Sequence, residues 1–192
     1  MDAHEAIATR HMVPKVGPEP PSRSQIEALV DAAVRAPTHH LTEPWRFIVL
    51  KGKALDGLGE SMAERVRDEN AGSDDLEHKM QVERSRPHRA PVIVVAIYRP
   101  SPHPKAIEIE DRYALGAAIQ NLLLEAHASG LGAYWRTGPA ASAPSVGKFL
   151  GLEDGEEVAG FLYVGTPTHE QERPITRRTK ASEVTSWVGW EA

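Results

Sequence analysis

The chain contains no cysteine, which excludes disulfides, thiolate metal sites and thiol nucleophiles together and fits a reducing compartment. It also lacks a basic excess. Its formal net charge is −5 and its sequence pI is near 6.0, which argues against nucleic acid as a partner. No apolar run approaches the roughly 20 residues of a membrane span. The amino terminus, Met-Asp-Ala-His-Glu, has neither the basic start nor the apolar core of a signal peptide. There is no internal repeat and no low-complexity linker. The expectation is a cytoplasmic protein with no membrane partner, forming a single domain over residues 1–192.

Several enzyme signatures are missing too. No His-Glu-x-x-His or comparable spacing is present, so no metal site is expected. The absence of a Gly-x-Ser-x-Gly elbow, a Walker loop and a Gly-x-Gly-x-x-Gly turn argues against a serine hydrolase, a P-loop enzyme and an ordinary dinucleotide fold. Ser145-Val-Gly-Lys148 matches Ser-x-x-Lys, but neither Ser-Asp-Asn nor Lys-Thr-Gly accompanies it.

What is present begins with local structure. A first helix is expected over residues 2–9, before Pro14, Pro18, Pro20 and Pro21 forbid continuation. Ser22 and Ser24 each offer a cap to the next helix, with Gln25 and Glu27 three residues on. Ile26, Leu29, Val30 and Ala33 then recur at helical spacing, and Pro37 stops the helix. Strands are expected over residues 45–50, 91–98, 132–137 and 158–164. The 91–98 run is apolar throughout, as in a central strand covered on both faces. Residues 111–129 form the most apolar helix, ended by Gly130, and Gly116, Ala117 and Ala118 on it would let another helix approach closely. A short helix is expected over 144–150. Residues 53–86 read as a charged, loosely helical stretch with a joint at Ala71-Gly72-Ser73, either a mobile cover over a site or a solvated helical pair. The tail from Thr168 is polar and basic, then ends in Trp187 and Trp190, which call for a surface to cover, a partner subunit being one candidate.

The stretch from Arg35 to Leu50 is chemically the richest. A helix runs into a polar loop carrying His39 and His40, and Glu43-Pro44-Trp45 then launches a strand. With Arg10-His11 near the amino terminus, these groups suit a large, flat, anionic ligand such as a flavin nucleotide. Such a ligand needs cationic or backbone donors for its phosphate, flat packing for its ring, hydrogen bonds at the pyrimidine edge and one open face. Arg10 offers a planar fork for phosphate oxygens, though it would equally complement the carboxyl end of the first helix. Trp135-Arg136-Thr137-Gly138 ends a strand: Arg136 would set a cation near a reduced flavin, Thr137 a hydroxyl, and Gly138 a close backbone approach. Plain alternatives stand beside each reading, a solvated turn for Arg136 and ordinary loop histidines for His39 and His40.

Taken in order, Arg10-His11, Arg35-Ala-Pro-Thr-His39, Pro44-Trp45-Arg46-Phe47, Arg89-Ala-Pro91, Trp135-Arg136-Thr137-Gly138 and Gly160-Phe-Leu-Tyr-Val-Gly-Thr-Pro167 resemble the nitroreductase family, and within it the small, minimal members of the YdjA type. The resemblance spans about residues 2–167. It implies an α+β fold with helices packed on a mostly antiparallel sheet, and an intertwined homodimer holding two FMN molecules at the subunit interface. It also implies that Arg10, His11 and Met12 line one part of the flavin site and that Arg35 and His39 reach it, His39 from the neighbouring subunit. Trp135, Arg136, Thr137 and Gly138 would hold the other side, with nicotinamide contacts around Asn121 to Ala126. The activity implied is an FMN-dependent NAD(P)H oxidoreductase. NADPH or NADH would donate hydride to flavin N5, and a nitroaromatic, quinone or similar acceptor would take it in ping-pong order, with no catalytic side chain needed. The alternatives are a flavin- or ligand-binding module without turnover, or a divergent flavoenzyme of the same fold using another redox substrate.

The chain departs from the family pattern at two points. His11 and Met12 stand where Arg-Ser or Arg-Thr is usual, so a fixed charge and a hydroxyl are lost, and a titratable imidazole enters the phosphate end. Lys15, Arg177 and Arg178 are candidates to compensate. Thr42-Glu43 precede Pro44, placing an acidic side chain in the loop.

Overall fold

Alternation along one strand sets the architecture. The computed structural model describes residues 1–168 and 178–190. In it Val92–Tyr98 (β2) is buried at every position. Side chains on a strand point alternately to opposite faces, so Val92, Val94, Ala96 and Tyr98 enter one hydrophobic core, while Ile93, Val95 and Ile97 enter another. Trp45–Lys51 (β1) and Glu157–Gly165 (β4) flank β2, and Gly132–Arg136 (β3) pairs with β4. All pairings are antiparallel, in the order β1-β2-β4-β3. This is the expected α+β arrangement, with β2 and β4 central.

The first core is closed by Arg23–Ala33 (α2) and Glu108–Ala128 (α5), the second by Lys53–Glu69 (α3) and Pro144–Leu150 (α6). Ala3–Thr9 (α1) packs on α5, Leu76–Ser85 (α4) packs on α3, and Ala181–Val184 (α7) lies in the tail. Of the two candidate caps for α2, Ser22 is used. Its hydroxyl accepts from Gln25 N–H at 3.2 Å and its own N–H donates to Gln25 Oε1 at 2.9 Å, a reciprocal capping box. The end of α5 is equally well defined. Gly130, at φ 75°, donates to His127 O at 3.1 Å, and Leu131 N–H reaches Ala126 O at 2.8 Å, a Schellman closure.

Residues 53–86 form the helical pair of the second expectation, but one that is solvated on its outer face alone. The joint falls where expected, between α3 and α4, but α3 buries Leu55, Leu58 and Met62 in the second core. Ala63 and Val66 of α3 meet Met80 of α4. A Cβ at Gly59 would lie 2.6 Å from Arg84 O, so the two helices touch backbone to backbone there. The stretch is charged because its outer face is wet, yet its inner face closes the fold.

Two further features position the site. The segment after α1 runs along the β3 side of the sheet. Val13 N–H donates to Ala133 O at 3.0 Å, Gly17 N–H donates to Thr166 O at 2.7 Å, and Val16 bridges Pro167. Opposite, Arg46 of β1 forks onto Glu156 at the entry to β4, with Nε 2.9 Å from Oε1 and Nη2 on Oε2, and Nη2 also donates to Gly151 O at 3.0 Å. The Glu156 side chain is 1 % exposed. Burial alone would raise its pKa. The Arg46 hydrogen bond, the Glu153 N–H and the charges of Arg46 and Arg99 outweigh that and hold the carboxyl below its ordinary value.

Candidate functional site

Arg10 caps the carboxyl end of α1, its N–H on Ala6 O at 3.0 Å. Its guanidinium turns inward, and Nη1 is buried without a hydrogen-bond partner among the described residues. Burial, and then the charge of nearby Arg178, push its pKa below the usual value. Thr9 organises what surrounds it. The Thr9 carbonyl is 3.2 Å from His11 Nδ1, and the Thr9 hydroxyl is 2.8 Å from Nε2 of His127 in the last turn of α5. The two imidazoles meet edge to face at 5.9 Å. Burial, then His11 and Arg10, lower the pKa of His127, with Glu5 opposing. Two guanidinium and two imidazole groups therefore converge on one corner. Of the three candidates to compensate for the lost charge, Arg178 is part of it, Lys15 is exposed, and Arg177 lies outside the described residues.

Met12 links this corner to the wall predicted from Trp135–Gly138. Its sulfur accepts from Trp135 N–H at 3.5 Å. The Trp135 indole donates to Ala159 O at 3.3 Å and lies so close over Gly160 that a Cβ there would collide with it. Arg136, one residue on, points to the opposite face of the sheet. Its guanidinium lies over the Tyr134 ring at 4.2 Å and within 5.5 Å of the Tyr163 ring, with Nε buried and without a hydrogen-bond partner among the described residues. With Thr137, Gly138, Arg86 and Arg89 it lines a cleft of about 280 Å³. Burial raises the Tyr163 phenol, against the pull of these three arginines. Arg136 is thus a stacked cation at a cleft, neither a solvated turn residue nor a neighbour of Arg10.

Arg35 and His39 lie elsewhere. Arg35 follows the end of α2 and lines a shallow recess of about 350 Å³ with Asn121, Leu124 and Glu125. Within the stretch expected to meet a nicotinamide nucleotide, Leu122, Leu123 and Ala126 face the first core, so only Asn121, Leu124 and Glu125 reach that recess. His39 sits in a short 3-10 turn, His39–Leu41, 3.9 Å from Glu110 in the first turn of α5. From Glu110 to His127 is roughly 25 Å along the helix at 1.5 Å per residue. His39 and the Arg10 corner therefore lie at opposite ends of α5 within one chain. The His39 loop is also strained. His40, Leu41 and Glu43 have φ of 53°, 52° and 44°, a region uncommon for residues other than glycine. It is tied down by the Thr42 hydroxyl, which donates to buried Asp111 at 2.6 Å.

Thr9, His127, Tyr134 and Tyr163 were not foreseen as site residues. Tyr134 was in principle readable, since a strand puts it on the same face as Arg136 and register places it opposite Tyr163. The last turn of α5 favours a cation, which points to His127. Ser145 is structural, donating to Ser61 O at 2.7 Å. Among the described residues no group of three or more His, Asp and Glu side chains is placed to hold a metal, and no helix is long and apolar enough to cross a membrane.

Similarity to known proteins agrees with this arrangement. The chain is 30% identical over 167 residues to an Escherichia coli (strain K12) protein carrying the name of an NAD(P)H nitroreductase, YdjA, covering 87% of this chain and 89% of that one. A crystal structure of a nitroreductase-like family protein from Bacillus cereus superposes with a TM-score of 0.77 at 24% identity, over 99% of this chain and 97% of that one. The FMN and NADPH-dependent nitroreductase NfnB, from Sphigopyxis sp. strain HMH, gives 0.77 at 19% identity, over 99% and 100%. These two likenesses establish the fold. The profile of the nitroreductase family matches residues 7–166, and with it the antiparallel sheet, the Arg10 corner and the Trp135–Gly138 wall fall into one frame: this chain belongs to the nitroreductase family.

Proposed function

We propose that this nitroreductase-family chain is an FMN-dependent NAD(P)H oxidoreductase, acting as a cytoplasmic homodimer on a nitroaromatic, quinone or similar small-molecule acceptor. The observation that carries the reading is the buried, unpartnered Nη1 of Arg10 in a corner with three other basic groups. A buried donor without an acceptor is costly, and the phosphate of FMN would supply the missing oxygens. The names of YdjA and NfnB support the donor and the cofactor.

When bound, FMN would supply the redox chemistry, ping-pong hydride transfer between an NADH or NADPH donor and the acceptor. The chain's own residues bind, orient and shield. Arg10 and its neighbours would hold the phosphate, while Met12 keeps that corner in register with Trp135. Gly138, at φ 124°, leaves the backbone bare for a close approach. Arg136 brings a positive charge to the cleft, its planar group held over the Tyr134 ring.

The homodimer reading is supported by what α5 leaves uncovered. Ile109 and Tyr113 are exposed on it, and a Cβ at Gly116 would meet nothing within 4 Å among the described residues, which leaves room for a second helix. In the tail, Trp187 and Trp190 pack on each other at 5.2 Å and stay largely exposed. A second copy would also bring His39 to the cradle of its neighbour, a meeting the length of α5 forbids within one chain, whereas Arg35 already lies beside α1 in the recess shared with Asn121 and Glu125.

The purified protein is expected to be yellow, or to turn so with FMN, to bleach on anaerobic addition of NADH or NADPH, and to elute as a dimer. A colourless monomer indifferent to added FMN overturns the proposal.

A further inference from the structure

The Arg10 corner contains a proton-accounting problem. The Thr9 hydroxyl has one proton, and it is donated to Glu5 O at 2.7 Å. The 2.8 Å contact between Thr9 Oγ1 and His127 Nε2 therefore requires the imidazole to be the donor, so Nε2 carries hydrogen and Nδ1 is bare in the neutral ring. The same threonine fixes His11, because a carbonyl only accepts. His11 Nδ1 donates to Thr9 O, leaving Nε2 bare. One residue thus sets both tautomers and leaves one open nitrogen on each ring. An open nitrogen repels a phosphate oxygen until it gains a proton and then donates to it.

We propose that His127, held by Thr9 and backed by His11, is a phosphate-binding residue of this corner, and that the phosphate group of the flavin nucleotide binds there with uptake of a proton on His127. The inference rests on the flavin reading above and adds to it a residue and a linkage. Facing His127 are Glu5 and Thr9 from α1, Arg10 and His11 from the segment that follows, and Arg178 beside Arg10. Glu125 on α5 itself is engaged by the Ser129 hydroxyl at 2.7 Å. Burial and the neighbouring cations keep the His127 ring neutral to lower pH than usual in the empty corner, and a phosphate dianion reverses that bias. Binding thus replaces the hydroxyl and fixed charge lost at His11-Met12 with a charge acquired on demand.

The experiment compares FMN with riboflavin, which has the ring but no phosphate. Apoprotein is titrated with each by flavin fluorescence quenching from about pH 6, below which the phosphate monoester itself takes up a proton, to about pH 9. The FMN dissociation constant is expected to rise with pH, by up to about tenfold per unit for each proton linked, while that of riboflavin stays flat. In His127→Asn the FMN slope is expected to fall by one proton. Riboflavin binding shows that the variant remains folded. Equal slopes for FMN and riboflavin, or an undiminished slope in His127→Asn, overturns the inference while leaving the flavin reading intact. Failure of both ligands to bind wild type at every pH overturns both.

Discussion

Replacing Arg46 with alanine is expected to cost about 3–5 kcal/mol of folding stability, because it strands Glu156 as an uncompensated buried charge. The fork from Arg46 ties β1 to the loop before β4, and among the described residues Glu156 keeps just the Glu153 N–H once it is gone. For a chain of this size each kcal/mol is worth roughly 2–4 °C, so the melting temperature falls by about 10 °C. Arg46→Lys keeps a charge but not the planar fork and is expected to fall between. The pH dependence follows from the lowered Glu156 pKa. A carboxylate held below its unfolded value of about 4.3 stabilises the fold fully above that value and loses this contribution as pH falls through the folded value. The gap between wild type and Arg46→Ala should therefore be widest near neutrality and shrink in acid. Urea unfolding at pH 7 and near pH 4 measures it, and an unchanged midpoint at pH 7 would show that the pair contributes nothing.

The second large effect is functional. Arg10→Ala is expected to weaken FMN about ten- to hundredfold, since hydrogen bonds to a charged group are worth about 1.5–3 kcal/mol. Riboflavin binding should hardly change, because the Trp135–Gly138 wall proposed to hold the ring is untouched. Folding should survive as well, since Arg10 Nη1 has no partner among the described residues to lose. Flavin fluorescence titration at fixed pH measures both ligands. Equal losses for FMN and riboflavin would mean that Arg10 supports the fold of the site rather than the phosphate.

Much of the fold was legible where a single physical rule acts locally. The apolar run of β2 could only be a strand buried on both faces, and the capping box at Ser22 marked the start of α2. The beginning of α5 was placed three residues late. Glu108 and Glu110 look like loop residues by polarity, yet acidic groups suit the first turn of a helix. In residues 53–86 the helical pair was legible and its buried inner face was not, because charge density hides burial. Leu55, Leu58 and Met62 supply the inner face, while arginines and glutamates pair across the outer one. The candidate site could be proposed from the sequence as a set of residues, but its geometry could not. Nothing local joins Thr9 to His127, 118 residues away, or tells which side of β3 receives Arg136. Those relations exist only once the sheet register and the run of Val13 beside Ala133 are fixed.

The length of α5 has a genetic consequence. If each flavin takes its phosphate cradle from one chain and its histidine loop from the other, a lesion at Arg10 and a lesion at His39 damage different halves of the same pocket. Mixed dimers of an Arg10→Ala chain and a His39→Ala chain would then gather both lesions into one pocket and leave the second wholly wild type. Two inactive alleles would complement each other when co-expressed, restoring up to half of normal turnover per mixed pair.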